Sequence, residues 1–359
     1  MNYNEFKQEL EEKLIEKLEK EYNDVSIILA KTQIINGQLD SMIIQINGYQ
    51  AVPRINIGQM YDRYNDISRT TEQKGITENP MDMLVDEVYV SFREAVEKLP
   101  DISNQYENIS KNLPDNVVLQ LVNTEKNREM LENVPHREIE DLSVIYRWIL
   151  EKVDKGRYSA IVTWDMADEV GMGEEELYRH ACENTKRLLP AEIKSMAEVM
   201  VEMMINDVVA STPEEIMGTL EAENIENIKE RLMEEETELM HTPYPMYVIT
   251  NEEHYYGAVQ MLFNENLDKI SEIFQDDLYI LPSSIQEVIA VSAKDCDITE
   301  LKEMVEWANS EVVELEEQLS DQVYFYDSRE RKLSIAADNP NKKLDTDGTS
   351  RDETDRGVR

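Results

Sequence analysis

The 359-residue sequence contains few residues suited to covalent or metal chemistry, with only two cysteines and four histidines. Cys182 and Cys296 lie far apart and do not make a disulfide framework in a chain of this length, so we expect a reducing environment. No two histidines have the spacing of a metal site on one helix face, and neither HExxH nor CxxC occurs. The sequence therefore predicts no disulfide framework and no metal site.

Long apolar runs are also missing. No stretch approaches the roughly 20 apolar residues that are needed to span a bilayer. The N-terminal segment, MNYNEFKQELEEKLIEKL, is charged throughout and lacks the apolar region of a signal peptide. We therefore expect a cytoplasmic protein without a membrane-spanning helix.

Known catalytic signatures are absent as well. Gly171-Met172-Gly173 lacks the third glycine, the lysine and the preceding strand of a phosphate-binding loop, and no GxSxG or kinase motif occurs. His180 and Cys182 are two residues apart, which places them on different faces of a helix. The sequence thus predicts no cofactor and leans toward a protein that is not an enzyme.

Basic residues are scarce relative to acidic ones, with 36 Lys and Arg against 76 Asp and Glu, a net charge of −40. Such a field repels nucleic-acid phosphates and anionic lipid headgroups, so we expect neither nucleic acid nor a membrane as partner. A protein partner fits the charge better. Two roles for the acidic surface stay open: simple solubility, and imitation of nucleic acid toward a basic partner.

The first hundred residues combine helical and strand patterns. Apolar residues at three- to four-residue spacing predict a helix over residues 3–22. Two β-rich runs flank Asn36-Gly37, which predicts a hairpin, and Val52–Ile57 contains Pro53 and fits an edge strand. Helices are predicted at about 57–66 and 80–98, separated by a polar loop, and Asn79-Pro80 has the pattern of a helix start.

The central region alternates strands and helices. VVLQLVN, from Val117, predicts a strand, and Thr124 is expected to cap a helix through about Asn133. Further strands are predicted from Leu142 and Arg157, although the nine-residue apolar run LSVIYRWIL from Leu142 also fits a helix. Glu174–Leu188 predicts a helix. From Pro190 to about Met240 the pattern is helical and strongly acidic, with a methionine stripe that we expect to fill a core: Met196, Met200, Met203 and Met204.

The C-terminal region predicts strand, strand, helix, strand, strand between Met246 and Val291, with GAVQML as the second strand. A helix follows from about Ile298, then a hairpin of Val323–Tyr326 with Lys332–Ile335. From Ala337 apolar residues nearly vanish, which predicts a disordered tail. The fold class is therefore α+β, with mixed, largely antiparallel sheets, packed helices, an acidic helical insertion and a disordered C-terminal tail. The predicted units are residues 1–110, 111–190, 191–243, 244–336 and 337–359.

Few residues qualify as candidate catalytic groups. Ser283 and Ser284 follow a predicted strand, but Pro282 ends that strand, and Ser284 with Glu287 has capping-box spacing, so a structural role is favoured. A serine nucleophile also needs a base, and the sequence assigns no histidine to it. His136 lies in a predicted loop before an apolar segment and is the one histidine that we retain as a candidate.

Five segments resemble an uncharacterised domain-of-unknown-function family of gut clostridia and related Firmicutes: NTEKNREMLENVPHREIEDLSVIY, ENTKRLLPAEI, MYVITNEEHYYGAVQML, DLYILPSSIQEVI and LSDQVYFYD. The resemblance covers most of residues 1–336, and the order of the C-terminal elements is loosely similar to YtpQ-like proteins of bacilli. It implies identity and fold but no reaction, substrate or cofactor. The matching positions that it marks as candidate site residues are Asn127, Pro135, His136, Asp141, Asn184, Thr185, Pro282 and Ser283.

Three functional hypotheses follow. The leading one is a cytoplasmic, non-enzymatic binding or regulatory protein, because catalytic signatures are missing and the surface is acidic. The alternative is a hydrolase-like enzyme with a site near Pro135-His136 and the Leu281–Ser284 loop, which requires these groups to meet within hydrogen-bond reach. A third hypothesis is an acidic mimic of nucleic acid.

Overall fold

The computed structural model describes residues 1–47, 54–97, 108–153, 156–211, 245–282, 284–294 and 296–336. The chain divides into two compact units, Met1–Ile109 and Ser110–Arg359. The fold is α+β, and every strand pair in the described residues is antiparallel. Within those residues, no helix has both the length and the apolar character needed to cross a membrane.

The N-terminal unit packs helices on a small sheet of order β1-β2-β3. Its elements are α1 (Tyr3–Leu18), β1 (Ser26–Ile34), β2 (Gly37–Gln45), β3 (Arg54–Asn56), α2 (Ile57–Lys74) and α3 (Pro80–Glu97). Helix α1 begins with a capping box between Asn2 and Glu5, which satisfies amide groups that the first turn leaves unpaired. Every fourth residue then faces the core, and four side chains are fully buried: Phe6, Leu10, Leu14 and Leu18.

Three details of this unit differ from the prediction. Helix α1 ends at Leu18 rather than at residue 22, and α2 continues to Lys74 through the predicted polar loop. Gly75 ends α2 with a φ of 63°, a left-handed conformation that suits glycine. The hairpin turns one residue earlier than predicted, because Ile34 pairs with Gly37 and Asn36 alone takes a positive φ of 63°.

The C-terminal unit contains two sheets. In the first, β6 (Leu142–Val153) is central and pairs with β4 (Val117–Asn123) on one side and with β5 (His136–Ile139) and β7 (Gly156–Ile161). The second has the order β13-β12-β10-β11-β9-β8. Its strands are β8 (Ala191–Ser195), β9 (Met246–Asn251), β10 (Leu278–Leu281), β11 (Val288–Ser292), β12 (Tyr324–Asp327) and β13 (Lys332–Ile335).

Helices surround these sheets. They are α4 (Ile109–Asn116), α5 (Arg128–Leu131), α6 (Trp164–Val170), α7 (Glu174–Leu188), α8 (Met196–Ser211), α9 (Asn264–Phe274) and α10 (Ile298–Glu311). Two short 3₁₀ helices span Gly257–Leu262 and Leu315–Glu317. Gly171, at a φ of 70°, ends α6, and Gly173 caps the start of α7, which confirms a turn between two helices at this glycine pair.

Four predictions in this unit are wrong. Ala191–Ser195 is a strand paired with β9, not a helix, and GAVQML is a 3₁₀ helix rather than a strand. Thr124 caps no helix, because its hydroxyl bonds Ser143 and the only helix here is α5. The methionine stripe does lie on a helix, but Met203 and Met204 are 63% and 37% exposed. The rest of the acidic insertion and the C-terminal tail lie outside the described residues.

Candidate functional site

Asn184 and Thr185 of helix α7 bond the backbone beside strand β4. The Asn184 side-chain amide donates to the carbonyl oxygens of Pro114 and Val117, at 2.9 and 3.0 Å. The Thr185 hydroxyl accepts a hydrogen bond from the Leu119 amide at 2.9 Å. Both side chains are buried. They form hydrogen bonds with backbone groups at the edge of β4 that pairs with no other described strand. This pair of candidates therefore performs a structural task, since an unpaired buried amide is costly.

Asn127 and Asp141 also hold the fold together. Asn127 is fully buried, and its side-chain amide donates to the Asn123 carbonyl at 2.8 Å. The Asp141 carboxylate accepts hydrogen bonds from the Tyr324 hydroxyl and, at 2.7 Å, from the Ser320 hydroxyl. Burial, together with the neighbouring Asp141, raises the pKa of Tyr324 well above its ordinary value. Asp141 thereby connects the turn before β6 to the start of β12.

His136 and Ser284 do not form a nucleophile-base pair in the described part of the chain. His136 is not in a loop but opens strand β5, with its Nδ1 atom 3.1 Å from the Val134 carbonyl oxygen. Ser284 forms an isolated bridge with Gln318, and its hydroxyl accepts the Gln286 amide at 3.0 Å. No helical turn starts at Ser284, so the predicted capping box is wrong. Ser283 lies outside the described residues.

Gln286, in the segment between β10 and β11, forms hydrogen bonds with β9 and the loop that follows it. Its side-chain oxygen accepts the Tyr256 amide at 3.0 Å, and its backbone oxygen accepts the Thr250 hydroxyl at 2.8 Å. Gly257 lies so close to these groups that a Cβ atom there would sit 2.2 Å from the Gln286 oxygen and 2.3 Å from the Thr250 hydroxyl. Tyr256 has a φ of 58°, a strained conformation for a non-glycine residue. Such strain persists only where the surroundings enforce it.

Tyr256 directs its ring and hydroxyl toward a half-buried arginine, Arg147 of β6. The Arg147 guanidinium donates to the Ser159 hydroxyl at 2.7 Å and lies 5.3 Å from the centre of the Tyr256 ring. The Ser159 hydroxyl lies 3.3 Å from the Tyr256 hydroxyl, which donates to the Tyr255 hydroxyl at 3.1 Å. The Arg147 Nε atom is buried and makes no hydrogen bond. Within the described residues, no carboxylate forms an ion pair with Arg147. We call these four residues the Arg147 cluster.

A second arginine cluster is fully paired. The Arg137 guanidinium binds Glu174 through two hydrogen bonds of 2.9 and 3.0 Å and stacks 4.0 Å from the Tyr178 ring centre. The Tyr146 hydroxyl donates to the same carboxylate at 2.5 Å. Burial alone would raise the pKa of Glu174, but the bonds from Arg137 and Tyr146 outweigh it and lower this pKa. With its charges satisfied, this cluster anchors the start of α7 to the sheet.

The C-terminal unit also has an acidic cleft of about 390 Å³. Two of its carboxylates bond neighbouring residues, because Asp276 accepts the Ser292 hydroxyl and the Lys294 amide while Asp277 accepts the Ser328 hydroxyl. Across the described residues, no group of three or more histidine, cysteine, aspartate or glutamate side chains has the geometry of a metal site. The acidic cleft is therefore held together by its own hydrogen bonds.

The N-terminal unit contains an open cleft of about 460 Å³, within the size range of small-molecule sites. We call it the α2–α3 cleft. Its floor is apolar, and its rim carries polar and charged side chains. The floor consists of Ile55, Met60, Leu84, Val88 and Phe92, and the rim of Arg54, Asn56, Gln59, Arg63, Glu87 and Ser91.

The charges at this rim are not balanced. The Arg63 guanidinium binds the Glu87 carboxylate through two hydrogen bonds of 2.8 and 2.9 Å. Arg54 is exposed and forms no ion pair with any described carboxylate. The Asn56 side chain is already used, because it accepts the Gln59 amide as the cap of α2. Among the described residues, the cleft therefore presents one cation without an acidic partner beside an apolar lining.

A family model for a family of unknown function, DUF5688, matches residues 3–328. The chain belongs to the DUF5688 family. No curated protein and no solved structure matches it significantly. The match confirms the resemblance to a family of unknown function, while the range of organisms and the similarity to YtpQ-like proteins stay predictions.

The matched range of this DUF5688 chain contains both the α2–α3 cleft and the Arg147 cluster. Sequence reasoning missed Arg54, Arg63 and Arg147. A usable signal was present, because Arg147 interrupts the apolar run LSVIYRWIL and Arg54 precedes a β-rich dipeptide in a chain poor in cations. A cation inside an apolar segment needs a partner, but the sequence does not show which residue supplies it.

Proposed function

We propose that this DUF5688 protein is a cytoplasmic, non-enzymatic binding protein, and that it binds a small amphipathic organic acid in the α2–α3 cleft. The observation that carries the proposal is the exposed Arg54, which has no acidic partner among the described residues and stands above an apolar floor. An apolar tail would bury against Val88 and Phe92, and the carboxylate would pair with Arg54.

The overall charge makes this cation significant. Acidic residues outnumber basic ones 76 to 36, so a guanidinium without a carboxylate at hand is unexpected in this chain. A planar guanidinium matches a carboxylate in geometry and can bind it through two parallel hydrogen bonds. Arg63 lies on the same rim, and its bond to Glu87 keeps it oriented toward the cleft.

The described contacts favour binding over the hydrolase alternative. That alternative needs His136 and the Leu281–Ser284 loop within hydrogen-bond reach. His136 instead contacts the Val134 carbonyl, and Ser284 contacts Gln286 and Gln318. The nucleic-acid mimic and a protein partner remain predictions from charge, and no specific contact favours either over the cleft.

Calorimetric titration of the full chain with octanoate and with 1-octanol tests the proposal. The two probes share a tail and differ in charge. We expect saturable binding of octanoate that is about tenfold weaker in Arg54→Ala, because a charge-assisted hydrogen bond contributes about 1.5–3 kcal/mol when partly shielded from water. The bond should weaken with salt, since Arg54 is exposed.

Arg69→Ala is the matched control. Arg69 lies on the same helix α2, pairs only with Asp66 at 3.5 Å and does not line the cleft. Its loss should leave octanoate affinity unchanged. Equal affinity for octanol and octanoate, or equal binding by wild type and Arg54→Ala, would show that Arg54 does not recognise an acid.

A further inference from the structure

The Arg147 cluster in the C-terminal unit contains a cation that forms no ion pair with a carboxylate of the described residues. Arg147 of strand β6 is half-buried, and it contacts the hydroxyl and the carbonyl oxygen of Ser159 and the ring of Tyr256. Removing a guanidinium from water is expensive unless a negative charge or several good acceptors replace the lost hydration. Here one nitrogen, Nε, is buried with no acceptor at all.

The hydrogen bonds in the cluster run in one direction. Ser159 accepts from Arg147, so its own proton is available to the Tyr256 oxygen, and Tyr256 in turn donates to Tyr255. All of these groups lie near one another without any carboxylate from the described residues. In the described part of the chain, the cluster therefore presents one positive charge whose neighbours are neutral, and a guanidinium of this kind can bind an anion through charge-assisted hydrogen bonds.

The loop that carries the tyrosines is built to stay in place. Tyr256 keeps its strained φ of 58° because its backbone amide donates a hydrogen bond to the Gln286 side chain and because Gly257 packs closely against Thr250. Gln286 is itself braced by Glu317, whose carboxylate accepts the Gln286 side-chain amide at 3.2 Å. A rigid second layer of this kind positions groups that contact a ligand. Strain of this sort is also concentrated at functional sites.

We propose that Arg147, oriented by Ser159 and the Tyr255-Tyr256 pair, binds an oxyanion, either the carboxylate or the phosphoryl group of a ligand. The anion supplies the negative charge and the acceptor that the guanidinium lacks. The guanidinium lies over the Tyr256 ring, 5.3 Å from the ring centre, and this contact adds to its positioning. This site is independent of the α2–α3 cleft, since it lies in the other unit and uses other residues.

The test is titration of the full chain with inorganic phosphate and with acetate at constant ionic strength. The readout is the NMR signal of the arginine Nε–H groups, in wild type and in Arg147→Met. We expect one Nε–H signal, absent in Arg147→Met, to shift saturably with at least one anion. Phosphate alone would identify a phosphoryl ligand, and acetate alone a carboxylate. Arg128→Met is the control, because Arg128 is exposed and paired with Glu125.

A second readout separates anion binding from a purely structural role. Arg147→Met removes an uncompensated charge and keeps a long apolar stem, so in buffer without either anion its Tm should equal or exceed that of wild type. Adding the bound anion should raise the Tm of wild type and of Arg128→Met but not that of Arg147→Met. No saturable shift with either anion, or a markedly lower Tm of Arg147→Met without anion, would overturn the proposal.

Discussion

The two units of this protein are stabilised in different ways. The described core of the N-terminal unit is apolar and follows one helical face, with few buried polar side chains, namely Asn36, Ser41 and Thr71. The C-terminal unit buries many more, and most of them bond backbone groups: Gln120, Asn127, Ser143, Asn184, Thr185, Thr250, Asn251, Gln260, Asn266, Ser271, Asn309 and Ser320. The N-terminal unit is thus stabilised mainly by the packing of regularly spaced apolar residues. The C-terminal unit relies in addition on hydrogen bonds from buried side chains to the backbone of loops and strand edges.

This difference predicts how each unit responds to mutation. A buried amide that holds a backbone group cannot be replaced by an apolar residue without leaving that group unpaired. An apolar core tolerates substitutions that keep its volume. All three tryptophans, Trp148, Trp164 and Trp307, lie in the C-terminal unit, so their fluorescence follows that unit alone.

Gly257→Ala should have the largest effect. The new Cβ atom would lie 2.2 Å from the Gln286 backbone oxygen and 2.9 Å from the Thr250 Cα atom, so backbone must move. We expect a loss of more than about 3 kcal/mol in the free energy of unfolding of the C-terminal unit, comparable to the most disruptive single substitutions. Denaturation followed by tryptophan fluorescence measures it. Gly173→Ala, where a Cβ atom meets nothing within 4 Å, is the control.

Leu10→Ala should destabilise the N-terminal unit by about 2–5 kcal/mol, because it leaves a cavity at a fully buried position of α1. Leu10→Met should cost less than about 1.5 kcal/mol, since it conserves volume. Hydrogen exchange of peptides from α1 and α3, measured by mass spectrometry, reports both. If Leu10→Met destabilises the unit as much as Leu10→Ala, the core depends on the exact shape of its side chains and not only on their volume and apolar character.

Asn184→Leu tests the other half of the comparison. The substitution keeps the branched shape but removes the donor to the Pro114 and Val117 carbonyls, and we expect a loss of about 1–3 kcal/mol. Thr185→Val removes the acceptor of the Leu119 amide and should behave in the same way. Tryptophan fluorescence during urea unfolding measures both. An unchanged midpoint would mean that these bonds do not stabilise β4.

Glu287→Gln should have the smallest effect, and one that depends on pH. Burial raises the pKa of Glu287, with His254 opposing the shift and Glu317 adding to it. The protonated carboxyl is therefore favoured in the folded state, and its stabilising contribution is lost as pH rises through that raised pKa. The Tm of Glu287→Gln should exceed that of wild type at neutral pH and approach it on acidification. An advantage that is constant with pH would argue against this cause.

Apolar periodicity located α3, α7, α9, α10 and several strands, because these elements bury one regular face or a continuous apolar run. It failed at GAVQML, where a strained Tyr256 and a crowded Gly257 turn an apolar run into a 3₁₀ helix. It also failed at Ala191–Ser195, a strand whose identity depends on pairing with β9, more than fifty residues away. Local pattern carries no information about such a distant partner.

The candidate sites show the same limit. Asn127, Asp141, Asn184 and Thr185 were chosen from the family resemblance, and each makes a hydrogen bond that supports the fold. A role in ligand binding stays a prediction for these four residues, because sequence does not distinguish a buried donor to backbone from a donor to ligand. Arg54, Arg63 and Arg147 were missed because the sequence does not show which arginines have an acidic neighbour in the folded structure.

Binding of an amphipathic acid in the α2–α3 cleft can be observed at the cleft itself by methyl NMR of the full chain during octanoate titration. Met60, Ile55, Leu84 and Val88 line the cleft and supply methyl reporters. We predict saturable shifts of these methyl signals in wild type and in Arg69→Ala, with about tenfold weaker binding in Arg54→Ala. Unchanged methyl signals of these four residues at octanoate concentrations that saturate the calorimetric signal would contradict the account.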